Sequence, residues 1–287
     1  MPWVNYHSHS LYCDGKAVPE DFIKLAIEKG FPAYGYSSHA PVPFASKWNM
    51  AMEKLPEYFE ELARIKAGFS GKIQVYTGLE IDYIEGLWGY RKSWLDARPL
   101  DYVIGSVHYI GRFPDGSYFC FDGQPEAFFR GIELLYQNDF RKAITTYYHF
   151  VMRMAEIDCP DIVGHMDKIK MHNCVQPYLN EEAKWYTDLV EETLEVIRQK
   201  GCMVEVNTRG LYKHNPPLLY PGPWVLKRLY QKKIPVMLNS DAHHPDEIES
   251  GFTHAAALLR EIGFKTLRVL IDGKWQDKAF HVKGLVL

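Results

Sequence analysis

Short apolar runs alternate with longer amphipathic segments along the chain. The apolar runs predict seven main strands, over residues 4–7, 33–37, 73–79, 101–107, 161–164, 202–207 and 235–239. The amphipathic segments predict helices over residues 19–29, 53–68, 125–137, 140–156, 180–200, 223–232 and 246–262. A last short strand is predicted over residues 267–271.

This alternation of strand and helix indicates βαβ units around a parallel sheet. Seven principal units are the number expected of a closed barrel rather than of an open sheet. No internal repeat, low-complexity tract or linker divides the sequence, so residues 1–287 are predicted to form a single domain. The sequence thus predicts an α/β protein built on one barrel.

The composition narrows the compartment and the partners. Hydrophobic residues make up 47% and charged residues 24%, which is typical of a globular protein in water. A formal net charge of −3, without a basic stretch, argues against binding of nucleic acid. Residues 1–7 do not resemble a signal peptide, and no stretch approaches the ~20 apolar residues that span a membrane. The five cysteines show no C-x-x-C spacing, so a reducing, cytoplasmic location is expected.

Polar residues that can bind metal follow almost every predicted strand. In a parallel barrel the carboxyl ends of the strands meet on one face, where active sites of this architecture lie. Six of the seven ends carry His, Asp or Glu, and the seventh carries Arg209. The metal-binding side chains at these ends are His7, His9, His39, Glu80, His108, His165, Asp241 and His243. A single histidine in such a place is usually structural, but this many together indicate a metal site.

The ligand types indicate which metals the site would take. His7 and His9 are two residues apart on a strand, so both imidazoles point to the same side and can bind one ion. Imidazole and carboxylate ligands without thiolate favour a hydrolytic site with zinc, iron or manganese. Because a catalytic zinc takes about three protein ligands, the surplus predicts two to three divalent ions. The histidines away from the strand ends, among them His214, are expected to be structural or solvated.

The order of these motifs resembles the polymerase-and-histidinol-phosphatase (PHP) superfamily over essentially the whole chain. The resemblance is carried by the H-x-H opening at residues 7–9, the lone His39, and G-L-E at residues 78–80. It continues with G-S-V-H at 105–108, G-H-M-D at 164–167 and S-D-A-H at 240–243. The stretches G-L-E-I-D-Y at 78–83 and S-D-A-H-H-P at 240–245 are similar to the histidinol-phosphate phosphatase branch.

This resemblance implies a distorted (β/α)7 barrel with a trinuclear metal centre. Carried over by motif position, the first metal would take His7, His9, Glu80 and Asp241. Glu80 would bridge to a second metal, which His108 and His165 complete. A third would take Asp14, His39 and His243. Asp14 is also explained as a turn residue, because it lies in Cys13-Asp14-Gly15 and turns favour Asp-Gly.

Candidate substrate contacts lie beside these ligands. A guanidinium at Arg209 could bind a phosphate through two parallel hydrogen bonds, although an ion pair with Glu205 is the structural alternative. Lys168 and Lys170 could assist, and Ser106 is a candidate hydrogen-bond donor to phosphate. The aromatic residues that could wall a pocket for a planar ring are Trp48, Tyr83 and Trp88.

Three residues are candidates for chemistry and recognition at the reacting end. Asp241 could orient the attacking water, and either Asp241 or His243 could give a proton to the departing alkoxide. Asp82 shares its strand face with Glu80, so it could accept a hydrogen bond from a substrate ammonium or imidazole. An ion pair that closes the strand end is an equally simple role for Asp82.

The function implied by the resemblance is hydrolysis of L-histidinol phosphate to L-histidinol and phosphate in histidine biosynthesis. The substrate would be a small phosphate monoester, whereas the oligomeric state is not predicted. The first alternative is a PHP-type nucleotide phosphoesterase or nuclease acting on another phosphoester. An amidohydrolase-like enzyme that cleaves C–N bonds also begins with H-x-H, and a non-catalytic metal-binding protein is the remaining alternative.

Overall fold

The polypeptide forms a ring of parallel strands surrounded by helices. The structure, a computed structural model, describes residues 1–91, 93–95 and 100–287. The strands are β1 (Ala33–Tyr36), β2 (Gln74–Asp82), β3 (Tyr102–Ser106), β4 (Tyr109–Arg112), β5 (Tyr118–Cys120), β6 (Ile162–Val163), β7 (Met203–Asn207), β8 (Val236–Asn239), β9 (Thr266–Ile271), β10 (Lys274–His281) and β11 (Gly284–Leu285). The α-helices are α1 (Pro19–Glu28), α2 (Leu55–Gly68), α3 (Pro125–Tyr136), α4 (Phe140–Ile157), α5 (Lys184–Lys200), α6 (Arg209–Lys213), α7 (Pro223–Lys232) and α8 (Phe252–Ile262).

Six strands form one parallel sheet in the order β1-β2-β3-β6-β7-β8. The chain segment before α1 lies between the two edges of this sheet. Asn5 pairs in parallel with Tyr34 of β1, and Ser8 pairs in parallel with Ala242, which follows β8. The segment therefore closes the ring as its seventh member, which confirms the predicted distorted (β/α)7 barrel.

The predicted strand over residues 4–7 is wrong in detail, because this segment makes single bridges rather than a ladder. Side-chain amides take the place of regular backbone pairs. The Asn239 side chain accepts a hydrogen bond from the Tyr6 backbone at 2.9 Å, and the Asn5 side chain accepts one from the Ser240 backbone at 3.2 Å. Asparagine side chains can form hydrogen bonds with backbone groups and so compete with the regular hydrogen bonds of a strand.

Two antiparallel elements lie outside the barrel and were not predicted. β4 and β5 form a hairpin after β3, and the sequence Pro114-Asp115-Gly116 between them is a typical turn signal. The strand predicted over residues 267–271 exists as β9, but it pairs with β10 in a three-stranded sheet instead of joining the barrel. The hairpin matters for function, because the chain after it reaches the cavity described below.

The predicted helices are observed with differences near some starts, and the short helix α6 was not predicted. The helix predicted from residue 180 begins at Lys184, and the one predicted from residue 246 begins only at Phe252. Gly251 interrupts the latter with a φ of 79°, after a single 3₁₀ turn over Pro245–Glu247. No helix within the described ranges is long and apolar enough to cross a membrane.

A buried tyrosine packs inside the barrel close to the predicted site. The Tyr102 hydroxyl donates to the carbonyl oxygens of Tyr6 at 2.5 Å and Tyr36 at 2.9 Å, which links three neighbouring segments of the ring. Gly78 makes room for this ring, since a Cβ there would lie 2.5 Å from Cζ of Tyr102. The absence of a side chain at Gly78 therefore allows β2 to pack closely against the Tyr102 ring, two residues before Glu80.

Candidate metal centre

Side chains from all round the ring meet at the carboxyl end of the barrel strands. The structure brings together all nine predicted ligands, which are His7, His9, Asp14, His39, Glu80, His108, His165, Asp241 and His243. All of them are buried except Asp14, whose side chain is 31% exposed. The predicted convergence of the strand ends is therefore observed, and the role of each side chain as a ligand stays a prediction.

Glu80 lies at the centre of this cluster. Its Oε2 atom faces three imidazole nitrogens, at 3.2 Å from His7 Nε2, 3.5 Å from His9 Nε2 and 2.8 Å from His39 Nδ1. Its Oε1 atom faces two others, at 2.9 Å from His165 Nε2 and 3.8 Å from His108 Nε2. Two carboxylate oxygens directed to different imidazoles are the arrangement that a residue bridging two ions needs.

Within the described chain, three groups have all their ligand atoms within 4.8 Å of one another. They are His7, His9 and Asp241; His39, Glu80 and His108; and His9, Asp14, His39 and His243. The first contains three of the four residues implied for the first metal, without Glu80, and the third contains the implied third set with His9 added. The second contains His39 where His165 was predicted. The Nε2 atom of His165 nevertheless contacts the Glu80 carboxylate.

The donor atoms fit divalent metal ions. Four of them, His7 Nε2, His9 Nε2, His39 Nδ1 and Glu80 Oε2, are buried without a hydrogen-bond partner in the described part of the chain. Buried polar groups without partners are costly, so their concentration in one place calls for cations. Two ligands of a tetrahedral zinc with bonds near 2.1 Å lie roughly 3.4 Å apart, which is the spacing seen here. Nitrogen and oxygen donors of this kind suit zinc, iron or manganese.

Hydrogen bonds to the second ring nitrogen orient several of these imidazoles. His7 Nδ1 lies 2.5 Å from Glu205 Oε1, and His108 Nδ1 lies 2.8 Å from Asp82 Oδ1. His243 Nδ1 lies 3.0 Å from the carbonyl oxygen of Asp241. Such partners leave the other nitrogen of each ring free to bind a metal and raise its basicity.

Glu205, which the sequence suggested either as a partner of Arg209 or as an acceptor for the cationic end of the substrate, supports the predicted ligands instead. It is fully buried on β7, and its Oε2 atom accepts hydrogen bonds from the His165 backbone and the Asn207 side chain, both at 3.0 Å. Together with the contact to His7, these bonds tie two predicted ligands to one strand. A charged residue inside the apolar run of β7 was the available signal.

Two predicted substrate contacts lie away from the cavity. Asp82 is 1% exposed, and its carboxylate is taken by His108 and by the Asn49 side chain at 3.3 Å. Ser106 is fully buried and donates to Glu80 Oε1 at 2.6 Å. The predicted recognition role of Asp82 and the phosphate role of Ser106 are therefore corrected, because both side chains hold the predicted ligands in place instead.

A cavity of about 360 Å³ opens beside the cluster. Pockets that bind small molecules have volumes of this order. Its lining includes four of the predicted ligands, Asp14, His39, Asp241 and His243. The remaining lining residues are Trp48, Cys120, Asp122, Gly123, Gln124, Lys168, Met171, Arg209, Lys213, His214 and Tyr220.

Two of the predicted phosphate-binding cations line this cavity. Arg209 begins α6 and donates from Nη1 to the carbonyl oxygen of Asp241 at 2.8 Å, so the alternative ion pair with Glu205 is not formed. The ammonium of Lys168 lies 2.7 Å from Asp122 Oδ2. Lys170 is turned away and pairs with Asp167 at 2.7 Å, so its predicted assistance to phosphate is corrected.

Sequence reasoning missed five polar residues of the cavity, namely Asp122, Gln124, Lys213, His214 and Tyr220. Asp122 follows β5 in Phe121-Asp122-Gly123, which resembles an ordinary turn, and His214 was expected to be structural or solvated. Of the three aromatic candidates, Trp48 lines the cavity. Tyr83 bonds to Glu85, and Trp88 donates from Nε1 to the Pro41 carbonyl at 2.8 Å, so neither of these walls the cavity.

Electrostatic effects keep two carboxylates and one ammonium of the site charged despite burial. Burial by itself would raise the pKa of the Glu80 carboxyl, but the imidazoles of His39 and His7 hold that pKa well below its usual range. Burial likewise opposes ionisation of Asp241, and the charges of His7 and Arg209 hold its pKa low. Burial also works against the charge on Lys168, yet Asp122 and Asp241 raise its pKa. The carboxylates are therefore ready to bind cations and the ammonium to bind an anion.

Asp241 has an unusual backbone conformation, with a φ of 55°. A residue other than glycine in the left-handed region carries strain and is held by its surroundings. Here the Asp241 carbonyl oxygen accepts from Arg209 and from Tyr212 at 3.3 Å, while its carboxylate lies 3.1 Å from His9 Nε2. The turn after β8 thus directs the carboxylate into the cluster, while the carbonyl oxygen is held by Arg209, Tyr212 and His243.

Solved structures with the same architecture include two histidinol phosphatases. A candidate histidinol phosphatase from Listeria monocytogenes superposes with a TM-score of 0.76 at 22% identity, covering 88% of this chain and 99% of that one. A histidinol phosphate phosphatase from Lactococcus lactis, crystallised with zinc, L-histidinol and phosphate, gives a TM-score of 0.68 at 20% identity and covers 99% of both chains. At these identities the likeness shows the fold.

Sequence comparison leads to the same group of proteins. The histidinol-phosphatase of Bacillus subtilis is 28% identical over 271 residues, which cover 88% of this chain and 97% of that protein. The PHP domain family model matches residues 5–209, which include the ligands predicted from His7 to His165. The matched strand ends meet in one cluster. Because the match covers more than half of the chain, this protein belongs to the PHP domain family.

Proposed function

We propose that this protein is a histidinol-phosphatase, which hydrolyses L-histidinol phosphate to L-histidinol and phosphate in histidine biosynthesis. The observation that carries the proposal is the cluster of nine predicted ligands, which opens into a cavity of about 360 Å³. A cavity of this size suits a small monoester. The relatives named histidinol-phosphatase support the choice of substrate over a nucleotide.

We assign two to three divalent ions of zinc, iron or manganese to the cluster. The first set is His7, His9, Glu80 and Asp241, the second is Glu80, His108 and His165, and the third is Asp14, His39 and His243. When bound, such ions act as Lewis acids and neutralise charge that develops on phosphate oxygens. The zinc in the Lactococcus lactis structure supports this assignment.

The chain itself positions the phosphate. Lys168 and Arg209 bring two cationic side chains to the cavity that the cluster faces, one from the turn after β6 and one from the start of α6. An arginine can bind two phosphate oxygens at once, and a lysine adds a compact charge. The phosphate group is thereby held between these cations and the predicted ligands.

Proton transfer is assigned to the turn after β8. The Asp241 carboxylate faces the cluster and can orient a water for attack on phosphorus. Asp241 or His243 can then return a proton to the alkoxide that leaves, since both line the cavity. In this scheme the oxygen of the water forms a bond to phosphorus, and the P–O bond to the amino alcohol breaks. A proton from the water passes to the leaving oxygen, so that L-histidinol departs with a neutral hydroxyl group.

The test is a phosphate-release assay over a panel of phosphate monoesters. We expect kcat/KM for L-histidinol phosphate to exceed that for p-nitrophenyl phosphate or a nucleoside monophosphate by at least ~100-fold, because binding of the remote amino and imidazole groups is used in the chemical step. A flat profile contradicts the proposal. A profile led by a nucleotide favours the nucleotide phosphoesterase instead.

We also propose that the protein is cytoplasmic and that it binds neither nucleic acids nor membranes. All five cysteines are free thiols, and the two nearest sulfurs, of Cys159 and Cys202, are 4.0 Å apart. Unpaired cysteines accord with a reducing compartment. The net charge of −3 gives no basic surface for a polyanion.

A further inference from the structure

One carboxylate in the cavity is left over after the metal sites are assigned. Among the described lining residues the carboxylates are Asp14, Asp122 and Asp241, and the first and third are assigned to metals. Asp122 Oδ2 lies 3.8 Å from His108 Nε2 but 2.7 Å from the Lys168 ammonium, so this oxygen already has a cation. Its side chain is 21% exposed and faces the cavity. Asp122 is therefore the anion available to the organic part of a substrate.

One of the residues that line the same cavity is a buried tyrosine. Tyr220 is 1% exposed, and its hydroxyl has no hydrogen-bond partner in the described part of the chain. Its backbone is fixed to the end of β7, because Tyr220 and Asn207 exchange hydrogen bonds of 2.6 and 3.2 Å. A buried hydroxyl left unpaired costs free energy, so its natural partner is a ligand in the cavity.

The Asp122–Lys168 pair matches the charges of the proposed substrate. L-histidinol phosphate carries an anionic phosphate at one end and an ammonium and an imidazole at the other. The Lys168 ammonium faces a cavity bordered by the predicted ligands, and its counter-ion is Asp122. A bound substrate can insert its two ends between these two side chains, so that each buried charge exchanges one opposite partner for another. Such an exchange leaves no buried charge without an opposite charge, which would cost free energy.

We propose that Asp122 and Tyr220 form the subsite for the cationic end of the substrate, and that Lys168 passes from Asp122 to the phosphate when the substrate binds. This proposal rests on the proposed function. It gives a physical reason for selectivity: an ester without a cation draws Lys168 away and leaves Asp122 unpaired. A site built for a polar group rejects analogues that lack it for the same reason.

The exchange predicts coupling between the two products. Binding of L-histidinol to the metal-loaded protein is measured by calorimetry with and without saturating inorganic phosphate. Phosphate should tighten L-histidinol binding by about 5-fold or more, because it takes Lys168 and frees Asp122. In Asp122→Asn, L-histidinol should bind weakly in both conditions. In Lys168→Met, it should bind tightly in both, since Asp122 is already free.

Two tyrosine variants separate recognition from general packing. Tyr220→Phe should weaken L-histidinol binding by about 3- to 10-fold, which is the effect of one neutral hydrogen bond. Tyr148→Phe is the matched control: its buried hydroxyl lies 3.0 Å from Tyr186 between two helices, away from the cavity, and the coupling should be that of the unchanged protein.

The outcomes distinguish this proposal from the proposed function. If Asp122→Asn keeps the full coupling, the phosphate and the ammonium attract each other directly and the exchange is wrong. As a second measurement, the ratio of kcat/KM between L-histidinol phosphate and phenyl phosphate should fall at least tenfold in Asp122→Asn. If the unchanged protein is selective but the variants keep this ratio within twofold, the subsite proposal is contradicted and the proposed function is not. An unchanged protein that shows no preference for L-histidinol phosphate contradicts the function itself.

Discussion

At the scale of single residues, Glu80 joins the parts of the cluster because its two oxygens face different imidazoles. Glu80→Ala is expected to lose metal at two positions at once, which elemental analysis of the purified protein measures. Glu195→Ala is a suitable control, since Glu195 lies on the exposed face of α5 in a pair with Arg198. Loss of a single equivalent would mean that Glu80 is a terminal ligand.

Arg209 is the residue whose removal tests phosphate binding most directly. Arg209→Ala is expected to lower kcat/KM by roughly 30- to 150-fold, because a charge-assisted contact worth about 2–3 kcal/mol is lost. A rise in KM alone indicates binding in the ground state, whereas a fall in kcat indicates binding that strengthens in the transition state. Arg228→Ala, on the outer helix α7, is the control. An effect below threefold in a folded variant would make Arg209 structural.

Glu205 is expected to act through His7 rather than on the substrate. Glu205→Gln keeps the shape of the side chain but removes the charge that faces His7 Nδ1, and it replaces one of the two acceptor oxygens that serve His7 and the His165 backbone with an NH2 donor. Losses of about 10- to 100-fold in metal affinity are typical for such supporting residues. A competition titration with a chelator measures this, and excess metal should restore much of the activity. Unaltered metal affinity would contradict this role.

At the scale of elements, Gly251 in the turn before α8 tests the close packing of this turn against Thr208, which follows β7. Gly251 has a φ of 79°, and a Cβ there would lie 2.9 Å from the Thr208 Cβ. Gly251→Ala should therefore destabilise folding by about 1–3 kcal/mol. Gly30→Ala is the matched control, because Gly30 has a φ of 74° with nothing near its Cβ position, and only about 1 kcal/mol is expected. Urea unfolding compares the two, and equal losses would show that the close contact is tolerated.

The β4–β5 hairpin is the element that gives the cavity its recognition wall. It places Cys120 and Asp122 opposite the predicted ligands, and Trp48 packs at 5.7 Å against Tyr109 of β4. The barrel strands supply the metal-binding groups, whereas this added hairpin supplies the group for the organic part of the substrate. Loops on a constant barrel are the usual source of substrate choice in such folds.

At the scale of the whole molecule, one hydrophobic cluster extends from Trp3 to Leu285, which supports the single-domain proposal for residues 1–287. Thermal unfolding is expected to show one transition by two independent probes. Removal of metal with a chelator should lower the midpoint by about 5–15 °C, since ligands that bind only the folded state stabilise it. Two resolved transitions, or a midpoint that the chelator leaves unchanged, would contradict these expectations.

The sequence by itself determined the alternation of strands and helices and the predicted ligands at the strand ends. Both depend on local information: hydrophobic period sets the element type, and a parallel barrel brings the strand ends together whatever the loops do. For this reason His7, Glu80 and Asp241 could be named without coordinates. The resemblance to a known family then divided the ligands among metals.

Only the tertiary structure decided which polar residues face the cavity and which support the ligands. Asp82 and Ser106 point toward the cluster by strand period, but their distances to His108 and Glu80 make them supports rather than substrate contacts. Asp122 and Tyr220 lie about a hundred residues apart, in segments that read as ordinary turns, and meet in one cavity. Side-chain direction in loops depends on long-range packing, which local sequence patterns do not encode.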